Sequence, residues 1–174
     1  PSDTTVFIYG GNLGVPQGIE FLIEILEIYK NRIDCFFVIV GNGEKAHLVE
    51  KWVRLNSPIN VIYLPELERN KYEQLEACCD IGMIFLDKRF TIPNFPSRML
   101  SYLESKLPLL ITTDLVSDLG LIATDNKFGK YSTAGDLFSI SENIEFFINN
   151  VEQRRIMGEN GFKYLIDNYS VSIA

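Results

Sequence analysis

Two groups of residues in this 174-residue chain have the types and spacing to receive an anion. The first is glycine after apolar runs: residues 6–9 lead into Gly10, Gly11, Asn12, Leu13 and Gly14, and residues 35–40 lead into Gly41 and Gly43. A glycine turn between a parallel strand and a helix leaves backbone N–H groups bare, at the positive end of the helix dipole, where a phosphate can approach. The same turn can simply reverse a buried strand, because glycine accepts positive backbone dihedrals at little steric cost. The second group lies in FTIPNFPSR, residues 90–98. Pro96 and Ser97 suit a helix start, so the amides at residues 97–99 would lack intrahelical partners, and Arg98 adds a planar, permanently charged donor suited to phosphate oxygens. An ordinary serine-capped helix with a solvated arginine is the competing reading.

Other reactive residue types point elsewhere. His47 is the single histidine, which argues against a catalytic triad or a histidine-rich metal site, and it reads as a surface residue near a helix start. Cys35, Cys78 and Cys79 are an odd set without metal spacing, expected in a reduced compartment as small buried hydrophobes. No metal or other cofactor is expected. Glu66 and Glu68 read as solvated loop acids, and Asp87, Lys88 and Arg89 as a charged loop after a strand. Phe146 and Phe147 read as helix packing, and nothing supplies a general base.

The elements that must position these residues follow from periodicity. Short apolar runs at residues 6–9, 35–40, 61–64, 81–86 and 109–112 alternate with amphipathic stretches, the rhythm of a parallel sheet covered by helices. A weaker strand is expected near residues 127–131. From Pro16 the pattern turns helical, with Ile19, Leu22, Ile23 and Leu26 on one face and Glu20, Glu24 and Glu27 on another. Further helices are expected through residues 48–53, after a capping box formed by Asn70 and Glu73, and at 95–106, 141–150, 152–159 and 162–168. Tyr72, Leu75 and Cys79 line one face of the helix after that box. The expected fold is α/β: a Rossmann-like parallel sheet with helices on both faces, one domain over residues 1–174. In such sheets ligands sit at the carboxyl ends of the strands, near the switch in strand order.

Composition bounds the function. A formal charge of −7 argues against a nucleic-acid binder, which presents a basic face. No apolar run nears the roughly 20 residues that cross a bilayer, and no signal peptide is visible. Cytoplasmic residence is therefore expected.

Taken in order, the motifs resemble the C-terminal, donor-binding domain of a GT-B glycosyltransferase of family 4. GGNLGVPQG (10–18) is similar to the glycine turn of the branch common in bacterial surface-polysaccharide synthesis. VIVGNGEKAHL (38–48) resembles the second strand and its turn, and VIYLPELERNKYEQLEACCDIGMI (61–84) the base-facing loop with the helix and strand that follow. FPSRMLSYLESKLPLL (95–110) resembles the Pro-Ser-Lys helix and next strand, and RRIMGENGFKYLIDNYS (154–170) the closing helices.

The resemblance implies that Gly11, Asn12 and Gly14 lie against the donor diphosphate or interdomain cleft, and that Ser97 and Arg98 hold the diphosphate. Leu64, Pro65 and Glu66 would present backbone to the base, commonly uracil, while Asn94 and Phe95 would border the sugar. Many members carry two glutamates eight positions apart, the second gripping the ribose. Here those positions are Pro93 and Ser101, so Ser101, or Glu104 one turn later, is expected at the ribose. The implied partners are a UDP-sugar or other nucleotide-sugar, and a glycan or lipid-linked acceptor reached through an N-terminal domain absent from this chain. The full-length protein would be cytoplasmic or peripheral to the inner face of the membrane. The competing classes are a noncatalytic Rossmann-like interaction domain with a decayed site, and another GT-B enzyme such as a nucleotide-sugar epimerase. A dinucleotide-dependent oxidoreductase fits less well, because GGNLG lacks the full G-x-G-x-x-G spacing.

Overall fold

The computed structural model describes residues 3–89, 96–114 and 117–169. Five largely apolar runs form the strands β1 (Thr5–Gly10), β2 (Cys35–Val40), β3 (Val61–Leu64), β4 (Ile81–Phe85) and β5 (Leu109–Thr113), and the more polar segment GKYST forms β6 (Gly129–Thr133). They are parallel throughout and pair in the order β3-β2-β1-β4-β5-β6. Around the sheet stand α1 (Ile19–Tyr29), α2 (Ala46–Asn56), α3 (Arg69–Glu76), α4 (Ser97–Glu104), α5 (Leu119–Asp125), α6 (Leu137–Asn149) and α7 (Val151–Tyr169).

Successive strand side chains point to opposite faces, and here both faces are covered, so the central strands are apolar at nearly every position. Phe7, Tyr9, Phe37 and Ile39 pack with residues of α1, α2 and α6. Ile8, Val38, Val40 and Ile84 pack on the other face with Met99, Tyr102 and Leu103 of α4 and with α5. Phe7 lies in register with Phe37, and their rings stack at 5.0 Å. The order reverses between β1 and β4, which opens a crevice at the carboxyl end of β1.

Several expectations change. The helical pattern at Pro16 resolves into a single 3-10 turn, Val15–Gln17, before α1 begins at Ile19. On α1 the buried face uses Ile25 where Ile23 was expected, and Ile23 is half-buried. The Asn70 and Glu73 capping box does not form: α3 starts two residues earlier than that box would place it, after Glu68, whose side chain makes no cap hydrogen bond. Glu73 instead accepts from Arg69 Nε at 2.7 Å, an i,i+4 pair inside the helix. The two helices expected at 152–159 and 162–168 are one helix, α7, because Gly161 is a close-packing position against Leu103 and Phe128 instead of a break. Helix α5 escaped the periodic reading; its seven residues bury Leu119, Gly120 and Ala123 while Leu121 is exposed. Cys35 and Cys79 are buried as expected, but Cys78 is exposed, since it follows the last turn of α3 on the outer side.

Candidate functional site

The crevice is a cleft of about 790 Å³ with the β1 turn on one side and the start of α4 on the other. Gly10, Gly11, Asn12 and Gln17 line the first side, and Pro96, Ser97, Arg98 and Ser101 the second. Gly41 and Asn42 close one end, and Glu66, Leu67, Arg69 and Tyr72 form the outer wall.

The glycine turns are knitted to each other. Gly11 N–H donates to the Val40 carbonyl at 2.9 Å, Leu13 N–H to Asn42 at 2.9 Å, and Lys45 N–H to Leu13 at 2.9 Å. Gly41 permits this approach: it has φ +139°, and a Cβ there would lie 1.8 Å from the Gly11 carbonyl oxygen. The amides of Gly11 and Leu13 are therefore engaged within the fold, a correction to the bare backbone the glycines suggested. On α4, Met99 N–H closes onto the Pro96 carbonyl at 2.9 Å, so the stretch of open amides is shorter than expected. Those of Ser97 and Arg98 have no backbone acceptor among the described residues.

Arg98 is held on three sides. Its guanidinium lies 4.5 Å from the centre of the Tyr9 ring. Nη2 donates to Gln17 Oε1 at 3.1 Å and to the Asn12 carbonyl at 3.4 Å. Tyr9 reinforces the same points, its hydroxyl donating to the Asn12 carbonyl at 2.9 Å and reaching Gln17 Oε1 at 3.3 Å. Burial pushes the Tyr9 phenol upward, partly opposed by Arg98, so the ring stays neutral beneath the cation. Arg98 Nη1 is buried and has no hydrogen-bond partner among the described residues. A desolvated guanidinium nitrogen without an acceptor is costly, and an anion in the cleft would complete it.

Under the α4 side lies a hydroxyl-rich floor. Tyr102 Oη accepts from Gly10 N–H at 3.0 Å and donates to the Ile8 carbonyl at 3.2 Å. Burial drives the Tyr102 and Tyr72 phenols well above their usual range. Glu76 of α3 is 1% exposed and accepts from Ser101 Oγ at 2.9 Å and from Ser105 Oγ at 2.6 Å.

Of the expected site residues, Gly11, Asn12, Ser97, Arg98, Glu66 and Ser101 line the cleft. Gly14 is buried beneath the Asn12 side chain and does not line it. Leu64 and Pro65 stand outside the lining; the Leu64 carbonyl accepts from Gly41 N–H at 3.1 Å. Glu104 is exposed on α4 away from the cleft. Asn94, Phe95 and Pro93 lie outside the described residues. Sequence reading did not single out Tyr9, Gln17, Glu76 or Tyr102, and it read Tyr72 only as part of a helix face. Glu76 had one signal: four residues after Tyr72, it falls on the apolar face of its helix.

A fully parallel sheet of this strand order, with glycine turns and an arginine-bearing helix start at its switch point, defines a Rossmann-like domain with its cleft where such sheets take their ligands. Residues 1–164 match the family described as "Glycosyl transferases group 1", and the chain belongs to that family. Its fold is that of the C-terminal domain of a GT-B glycosyltransferase. It matches the C-terminal domain of the group 1 protein LpcC from Francisella tularensis with TM-score 0.77 and 16% identity, over 97% of this chain and 87% of that one. It also matches a TarM variant of S. aureus, crystallised with fondaparinux, alpha-GlcNAc-glycerol and UDP, with TM-score 0.79 and 18% identity, over 98% of this chain and 34% of that one. Among curated proteins, "Probable glycosyltransferase WbjE" of Pseudomonas aeruginosa is 23% identical over 124 residues, 71% of this chain. The chain spans 31% of the length of that relative.

Proposed function

We propose that this domain binds the nucleoside diphosphate of a sugar donor, UDP-linked, for a glycosyltransferase that passes the sugar to a glycan or lipid-linked acceptor with retention of anomeric configuration. The observation that carries the reading is Arg98, fixed by Tyr9 and Gln17 with a buried, unpartnered Nη1 beside the start of α4. In this role Arg98 and the first α4 amides take the charge that develops on the departing diphosphate. Ser97 adds a hydroxyl to the phosphates, the Glu66 region borders the base, and Asn94 and Phe95 border the sugar. The acceptor side belongs to parts of the protein outside this chain, and the UDP in the complex of the structural neighbour TarM supports the donor reading. No helix among the described residues is long and apolar enough to cross a membrane.

A thermal-shift titration with UDP, GDP, a UDP-sugar and NAD tests the reading, because a ligand that binds only the folded state raises Tm by mass action. A rise with UDP species and none with NAD is expected. A rise with GDP alone would replace the base, and no rise with any nucleoside diphosphate would remove the donor site from this domain.

A further inference from the structure

We infer that Glu76 is a positioning residue: it draws the Ser101 hydroxyl proton inward and so presents Ser101 to the cleft as an acceptor for a pentose hydroxyl of the bound nucleotide. The inference rests on the nucleotide reading above. Glu76 is 1% exposed and accepts from the hydroxyls of Ser101 on α4 and Ser105 at its C-terminal cap, one turn apart, with the Tyr72 hydroxyl also facing it. Burying a carboxylate without a paired cation is costly unless hydroxyls compensate it, so both serine protons are committed to it. A serine hydroxyl has one proton and two lone pairs. With its proton turned toward Glu76, Ser101 offers lone pairs to the cleft it lines.

The ligand group that meets those lone pairs must be a donor. Arg98 and Ser101 share one side of α4, three residues and hence about 4.5 Å apart along the helix axis. A phosphate seated on Arg98 places the adjoining pentose at that distance. Phosphate oxygens are acceptors and would face lone pairs there, whereas a pentose hydroxyl donates. The α3 acid thus reaches the nucleotide through a serine on α4, 25 positions later in the sequence.

Calorimetry with UDP and 2′,3′-dideoxy-UDP, and with GDP and its dideoxy counterpart, tests this. The native chain should prefer the hydroxylated nucleotide about tenfold, the scale of one hydrogen bond. Ser101→Ala should bring the ratio to about two or less, since the acceptor is gone. Glu76→Leu should do the same, because it leaves the Ser101 proton no acceptor there, while affinity for the dideoxy compound stays within about twofold. If Glu76→Leu does not fold, Glu76→Asp, which withdraws the carboxylate by one methylene, should lower the ratio likewise. A native ratio in folded Glu76 variants, with the ratio lost in Ser101→Ala, would overturn the role of Glu76. A native ratio in Ser101→Ala would overturn the contact itself. Absence of binding by all four nucleotides would overturn the donor reading and this inference together, an outcome distinct from retained binding with unchanged preference.

Discussion

Arg98 sets the chemistry at the scale of single residues, because its guanidinium fork is half used by the protein. Nη2 is committed to Gln17 and Asn12, the plane rests on Tyr9, and Nη1 has no partner among the described residues. Arg98→Ala is therefore expected to weaken UDP binding by about 1.5 to 3 kcal/mol, the scale of hydrogen bonds to a charged group, as read by calorimetry. Arg98→Lys should recover little of that loss, since an ammonium cannot rest on Tyr9, reach Gln17 and present a second donor together. The cysteines give an independent check on the residue environments. Burial pushes the Cys35 thiol up to about 11 and the Cys79 thiol up to about 12, while Cys78 is exposed. A thiol reagent at neutral pH should modify Cys78 alone in the folded chain and all three cysteines after denaturation, as counted by mass spectrometry. Labelling of Cys35 or Cys79 under native conditions would contradict their packing.

At the scale of elements, the cleft exists because two strand ends come close enough to share hydrogen bonds. Gly41→Ala puts a methyl group 1.8 Å from the Gly11 carbonyl in a conformation, φ +139°, that side chains rarely adopt. Loss of about 2 to 4 kcal/mol of stability is expected in urea unfolding, together with loss of nucleotide binding as the two turns part. The strands were legible because burial on both faces leaves an unbroken apolar run, as in CFFVIV, whose observed bounds match the expected ones. Helix α5 was not legible, since seven residues hold too few turns to show a period. The glycine turns and the Ser97, Arg98 pair were legible as candidates because their chemistry is local. Glu76 and Gln17 were not, because each acquires its role through residues far along the chain: Ser101 is 25 positions from Glu76, and Arg98 is 81 from Gln17. No local period encodes contacts of that kind.

For the molecule as a whole, the excess of 23 acidic over 16 basic residues places the pH response in its paired carboxylates and buried thiols. The hydrogen bond from Arg89 holds the Asp87 carboxyl down at about 2. Arg32 likewise lowers Asp34, and Lys45 lowers Glu20. A carboxyl whose folded value is depressed stabilises the fold fully above its unfolded value near 4, and that contribution fades as pH falls toward the folded value. The buried thiols act at the other end. Their folded values exceed the free value near 9, so the unfolded chain loses those protons first and stability declines as pH rises through about 9 to 11. Scanning calorimetry should thus show Tm flat between about pH 5 and 8 and falling on both sides. Asp87→Asn should shallow the acid limb without moving the alkaline limb. The effect should be small, because Arg89 is 67% exposed and solvent screens the pair. An acid limb unchanged in Asp87→Asn would assign the acid response to Asp34 and Glu20. Those pairs join the loop before β2 to α6 through Arg32 and Glu145, and α1 to the turn before α2 through Lys45.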